Sequence, residues 1–157
     1  MPSTYEPIAT TTLGSNAGSV TFSSVPSTYT DIVAICNIKL SSASTIYTQV
    51  NGDNGNNYSK TSLEGESGVA SSSRNSNINS PLFGYSANTT NFGNTIIHYQ
   101  NYSNTTTNKT FIGRGNYTDY LVASVALWRN TAAINEIKIL GNFATGSSFT
   151  LYGIKAA

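Results

Sequence analysis

The chain has 157 residues and a formal net charge of +1; only 10% of it is charged, while roughly two fifths is serine, threonine and asparagine. One histidine and one cysteine exclude a histidine-rich metal centre and an intrachain disulfide, and eight scattered Lys and Arg form no cluster for nucleic acid. The longest apolar run, around Leu121 to Trp128, is far too short to span a membrane as a helix.

Residues 1–7, with prolines at Pro2 and Pro7, read as an extended arm ahead of a single domain over residues 8–157. An arm of this kind suits contact with a neighbour. Alternation begins at Ile8 to Leu13, turns over Gly14 to Gly18, and resumes at Ser19 to Val25, where Val20 and Phe22 point inward. Asp31 to Leu40 is the first strand apolar on both faces: Ile32, Ala34, Cys36 and Ile38 share one, and Val33 and Ile35 lie on the other. Such a strand belongs in the middle of a sheet. Ser44 to Val50 follows, closed by the turn signals of Asn51-Gly-Asp-Asn-Gly55, with a shorter candidate at Tyr58 to Leu63. Glu64 to Asn79 shows Gly, Ser and Asn without periodicity and is expected to be a long surface loop. Strands resume at Pro81 to Ser86, Asn94 to Tyr102 and Lys109 to Arg114, and then at Asp119 to Arg129, Ala133 to Leu140 and Ser147 to Gly153. The alternation is imperfect near Ala133, which implies a bulge or short turn. No stretch sustains helical spacing. The expected fold is all-β, a two-sheet, jelly-roll-like sandwich of about nine or ten short strands.

Candidate chemistry is sparse. Asn51 to Asn57 offers closely spaced oxygens, yet Asp53 is the one charged ligand there, and a hairpin turn explains the segment better than calcium. His98 lies on a strand with no second histidine and reads as structural. Glu64 and Glu66 lack anything to fix the separation a glycosidase pair requires. Gly113-Arg-Gly115 resembles a phosphate-loop fragment, but no helix follows and a tight strand end is expected. Cys36 sits in an apolar pattern and reads as a buried thiol. Tyrosines are the more serious signal: Tyr58, Tyr85, Tyr99 and Tyr102 are the candidates for stacking on a host glycan. No catalytic residue, cofactor or metal site is expected, and the chain reads as no enzyme.

Three stretches carry a family likeness when read together: Ser19-Val-Thr-Phe-Ser-Ser-Val-Pro-Ser-Thr-Tyr-Thr-Asp31, Asn51-Gly-Asp-Asn-Gly-Asn-Asn-Tyr-Ser59, and Trp128-Arg-Asn-Thr-Ala-Ala-Ile134 continuing to Leu151-Tyr-Gly-Ile154. The chain resembles tailed-bacteriophage virion surface proteins, which occur as capsid decoration or cement proteins and as tail-fibre modules. The likeness spans most of the chain, is weakest over Glu64 to Gly93, and brings no family functional residues. It implies a β-sandwich on the capsid exterior, made in the host cytoplasm and assembled without disulfides.

Together these readings lead to a capsid decoration or cement protein, with the major capsid protein and copies of itself as partners, as a homo-oligomer of which a trimer is one option. Pro2, Tyr5 and Pro7 of the arm are the expected shell or neighbour contacts. The chain is expected to be a small stand-alone unit, lacking the attachment domain and shaft of a fibre. The alternative is a tail-fibre or receptor-binding module that recognises host surface glycan. Neither reading calls for nucleic acid or a membrane.

Overall fold

The computed structural model describes residues 4–86, 89–118 and 120–155. Among them the chain forms no helix and twelve strands. These are β1 (Tyr5–Thr12), β2 (Ala17–Phe22), β3 (Asp31–Ile38), β4 (Ser44–Val50), β5 (Tyr58–Glu66) and β6 (Val69–Ile78), followed by β7 (Leu82–Ser86), β8 (Gly93–Gln100), β9 (Lys109–Tyr117), β10 (Tyr120–Trp128), β11 (Ile137–Phe143) and β12 (Ser148–Ile154). They form an eight-stranded sheet, ordered β1-β12-β3-β8-β9-β10-β5-β6, and a four-stranded sheet, ordered β2-β11-β4-β7.

Every pairing is antiparallel, and four of them define the topology: β1 with β12, β2 with β11, β3 with β8, and β4 with β7. The chain therefore runs as a long folded-over ribbon whose successive pairs fall alternately in the two sheets, which is the winding of a jelly roll. Two hairpins enlarge that eight-strand body. One is β5–β6, inserted between β4 and β7; the other is β9–β10, inserted between β8 and β11. Both join the larger sheet beyond β8.

Alternation places the core. Ile32, Ala34, Cys36 and Ile38 of β3 face inward with Ile97 and Tyr99 of β8 and Phe149 and Leu151 of β12, against Ile46 and Val50 of β4 and Ile137 and Ile139 of β11. The Tyr99 hydroxyl, buried in this layer, meets Thr48 Oγ1 at 2.7 Å and ties the two sheets together. Gly113 and Gly115 stand in mid-strand on the inner face of β9, not at a strand end. A Cβ on Gly113 would lie 2.3 Å from Phe83 Cδ1, and one on Gly115 would lie 2.6 Å from the Phe83 carbonyl oxygen. The two glycines let β7 cross close beneath β9.

The all-β sandwich is as the alternation implies, with twelve strands in place of nine or ten. Glu64 to Asn79 is not a loop: most of it is the β5–β6 hairpin, closed by Ser67 and Gly68 at φ of 49° and 81°. That pair of positive φ values makes the two-residue turn that suits a twisted hairpin. Tyr5, Glu6 and Pro7, read above as part of an extended arm, are in β1 and pair with Ile154, Gly153 and Tyr152. Ala133 to Glu136 lies outside any strand, which accounts for the broken alternation before β11.

Candidate functional site

The outer face of the larger sheet, turned away from the smaller one, carries apolar side chains where solvent-facing polar residues are the rule for a half-exposed sheet. Register aligns them in two neighbouring cross-strand rows. The first runs Ile35, Ile96, Arg114, Ala123 and Leu63 from β3 to β5. Beside it run Tyr152, Val33, His98, Ile112 and Val125, from β12 to β10. Leu121, on the flank, is 61% exposed, Leu63 65% and Val125 50%. Two depressions of about 520 and 540 Å³ mark this face, and both are lined by Ile96, Arg114 and Ala123. Exposed apolar side chains gathered on one face are the kind of feature that interaction surfaces share.

Two polar features interrupt the rows. Arg114 is exposed at the centre of the first, and its side chain makes no hydrogen bond or ion pair among the described residues. His98 Nε2 lies 3.0 Å from Asp31 Oδ2, whose other oxygen accepts the Asn101 backbone N–H at 2.6 Å. The histidine is thus oriented by a carboxylate, but the depression it lines presents only aliphatic groups, Arg114 and the Tyr5 phenol around it. No serine, threonine or cysteine lines it, so a nucleophile for the pair is missing there.

A second cluster lies on the inner face of β5 and β6. Ser62 Oγ donates to Glu64 Oε1 at 2.5 Å, lies 2.8 Å from Ser73 Oγ, and accepts from Lys60 Nζ at 3.0 Å. Burial raises the Glu64 carboxyl, but the Ser62 bond, the Lys60 charge 3.5 Å away and the Ser73 bond outweigh it and hold the group below the usual range. A serine beside a carboxylate and an ammonium has the ingredients of an activated nucleophile. Ser62 is only 1% exposed, so no reacting carbonyl reaches its oxygen, and the set acts as a hydrogen-bonded layer between strands.

The turn at Asn51 to Asn57 is equally occupied. Asp53 Oδ2 accepts the Trp128 indole N–H at 2.6 Å and the Asn57 amide at 2.9 Å, while Oδ1 accepts the Gly55 N–H at 2.9 Å. Its oxygens thus serve as a clamp on Trp128. Among the described residues, no group of three His, Cys, Asp or Glu side chains gathers where it could hold a metal ion.

The tyrosines proposed for glycan stacking do not assemble. Tyr58, Tyr99 and Tyr102 are fully buried, and burial pushes each of their hydroxyls up. Tyr58 stacks on Trp128 with ring centroids 6.4 Å apart, Tyr99 meets Phe111 edge-on at 4.9 Å, and the Tyr102 hydroxyl donates to the Pro26 carbonyl. Three of the four thus have no face open to a sugar. Tyr85 is half-buried on β7, edge-on to Tyr120 at 5.7 Å. Of the arm residues, Pro2 lies outside the described residues. Tyr5 is exposed, edge-on to Tyr152 at 6.2 Å, at the margin of the apolar face; Pro7 pairs with Tyr152 on the same margin. Sequence reasoning placed contact on this edge but missed the face behind it. Val33 and Ile35, already legible on the second face of β3, were its signal.

No family model matches the chain, and no curated protein matches it. Among solved structures it is similar to Scytalido-glutamic peptidase with a peptide-based transition-state analogue, at 14% identity and a TM-score of 0.34, over 90% of this chain and 66% of that one. The chain thus spans just under two thirds of that peptidase chain, and a likeness at this level informs neither chemistry nor role.

Proposed function

We propose that this protein is a non-enzymatic structural component of a bacteriophage virion: a capsid decoration or cement protein, bound to the major capsid protein on the capsid exterior through the outer face of its larger sheet. The observation that carries the reading is the pair of rows around Arg114, in which Ile35, Leu63, Ile112 and Val125 are exposed and the Arg114 side chain has no hydrogen-bond or ion-pair partner among the described residues. Resemblance to virion surface proteins supplies the setting. An apolar surface with a central guanidinium suits a partner patch that is apolar around a carboxylate, since a desolvated Arg needs an anionic acceptor. Mechanistically, a protein that binds only the assembled shell lowers the free energy of that shell by mass action, and occupancy of many lattice sites resists disassembly.

Quantitative mass spectrometry of purified virions, with this chain counted against the major capsid protein, tests the reading. Comparable copy numbers support decoration. A handful of copies per particle would move the protein to the tail or a fibre. Arg114→Glu should lower capsid occupancy while leaving the fold intact, and unchanged occupancy would remove the outer face from the interface. For the glycan-recognition alternative, burial of Tyr58, Tyr99 and Tyr102 leaves Tyr85 as the one of its four tyrosines with a partly open ring.

A further inference from the structure

The larger sheet ends in two unlike edges. At one, β1 carries Pro7, a register shift between Pro7 and Ala9, and an ion pair from Glu6 to Lys155 at 2.9 Å. Proline and bulges are the devices by which proteins keep an edge strand from recruiting another. At the other edge, β6 runs for ten residues with no proline, one charge, and both faces exposed along nearly its whole length. Its one irregularity is at the far end, where the register with β5 shifts at Tyr58 and Ser59 opposite Asn77, at φ 55°.

We infer that β6 is a self-pairing edge, on which a second copy of this chain adds its own β6 antiparallel across a two-fold axis. The backbone defines the register. The two-residue turn makes Glu66 and Val69 a hydrogen-bonded pair, so Val69, Ser71, Ser73 and Asn75 direct their backbone groups to β5. Ala70, Ser72, Arg74 and Ser76 then direct theirs outward, and among the described residues these groups have no partner.

Residues facing each other across an antiparallel pair share a sheet face, so the axis must pass through a residue. Centred on Arg74 it would set the two guanidiniums opposite each other, an unfavourable like-charge pair. Centred on Ser73 it sets Arg74 against the partner copy's Ser72, pairs Val69 to Asn77 throughout, and satisfies all four outward residues on each strand. The facing pairs are then Ser73 with Ser73, Arg74 with Ser72, Asn75 with Ser71, Ser76 with Ala70 and Asn77 with Val69, which set no like charges opposite each other. Pairing of β6 with the partner copy's β1 is opposed by Pro7 and its bulge and would propagate an open chain, whereas the two-fold contact closes. The product is a dimer with one continuous sheet, and it holds wherever the protein resides.

The test uses the full chain in solution. Light scattering after size exclusion should give a dimer, and Ser72→Pro should convert it to a monomer with an unchanged circular dichroism spectrum. That substitution removes an outward N–H without touching the β5 ladder. Ser73→Cys should oxidise to a covalent dimer, because facing residues of a non-hydrogen-bonded pair have Cα atoms about 4.5 Å apart. Ser71→Cys should not, its two copies being offset by about 13 Å at the strand rise. Native Cys36 is buried, with its thiol pushed up to about 12, and does not compete. A monomer at the highest attainable concentration, an oligomer that survives Ser72→Pro, or crosslinking at Ser71 and not at Ser73 would each overturn the proposal.

Discussion

Across β12, β3 and β8 the inner face of the larger sheet offers Leu151, Phe149, Ile32, Ala34, Cys36 and Ile97, all buried against the smaller sheet. Across β10, β5 and β6 the same face keeps Trp128, Ala126, Val122, Tyr120 and Tyr58 buried but mixes them with Lys60, Ser62, Ser73 and Ser124, whose buried hydroxyl has no hydrogen-bond partner among the described residues. The first half is held by apolar burial, worth about 1.5–3 kcal/mol for each large side chain fully removed from water. The second has fewer buried apolar side chains and adds hydrogen bonds among Lys60, Ser62, Glu64 and Ser73, whose net contribution per bond is about 1 kcal/mol. The difference teaches that the added hairpins are an extension carried by the jelly-roll body rather than a second core. They broaden the outer face and provide the open edge.

Trp128 is the hinge of that comparison, since it closes the apolar end of the extension and is clamped by Asp53. Trp128→Ala should cost about 3–5 kcal/mol, from the cavity and from the stranded carboxylate, read as a shift in the urea midpoint. A loss below about 1 kcal/mol would mean that the body needs no closure at this end. Gly113→Ala, on the seam between β9 and β7, should cost about 1–3 kcal/mol by overpacking Phe83.

Acid sharpens the comparison further. Burial raises the Asp53 carboxyl, but the Trp128, Asn57 and Gly55 N–H donors outweigh it and hold the group below the ordinary carboxylate range. A carboxyl with a lowered folded value contributes its stability in full above the unfolded value and loses it as pH falls through the folded one. The gap in urea midpoint between the wild type and Asp53→Asn should therefore be widest at neutral pH and narrow on acidification. A constant gap would show that the indole bond, and not ionisation, is what Asp53 supplies.

Much of this was legible because burial writes a period into the sequence. On β3, Ile32, Ala34, Cys36 and Ile38 mark the core, and Val33 and Ile35 the outer face, before any coordinates. β6 left no such mark: with both faces in solvent, Val69 to Ile78 has no reason to alternate, and a Ser and Asn run without contrast looks like a loop. Ser67-Gly68 was the available clue, a turn dipeptide whose positive φ values close a hairpin. The tyrosines misled for the opposite reason. Composition shows that a ring can stack on a sugar, whereas its strand position decides whether either face is open, and Tyr58, Tyr99 and Tyr102 all fall on inward positions or under a loop carbonyl.

The smallest effect on stability belongs to the outer face, and it is the one that separates folding from assembly. Leu63 stands on β5 between Ala123 and Ser72, 65% exposed, so its side chain gives the isolated chain little burial to lose. Leu63→Ser should move the unfolding free energy by no more than about 0.5 kcal/mol, as surface substitutions do. On the proposed function, occupancy on capsids should nevertheless fall, because the shell would complete the burial of that leucine. If stability dropped as far as it does for an inward residue, Leu63 would be part of the core after all, and the outer rows would owe their apolar character to packing within the chain. If stability and occupancy both held, the partner surface would lie elsewhere on the molecule.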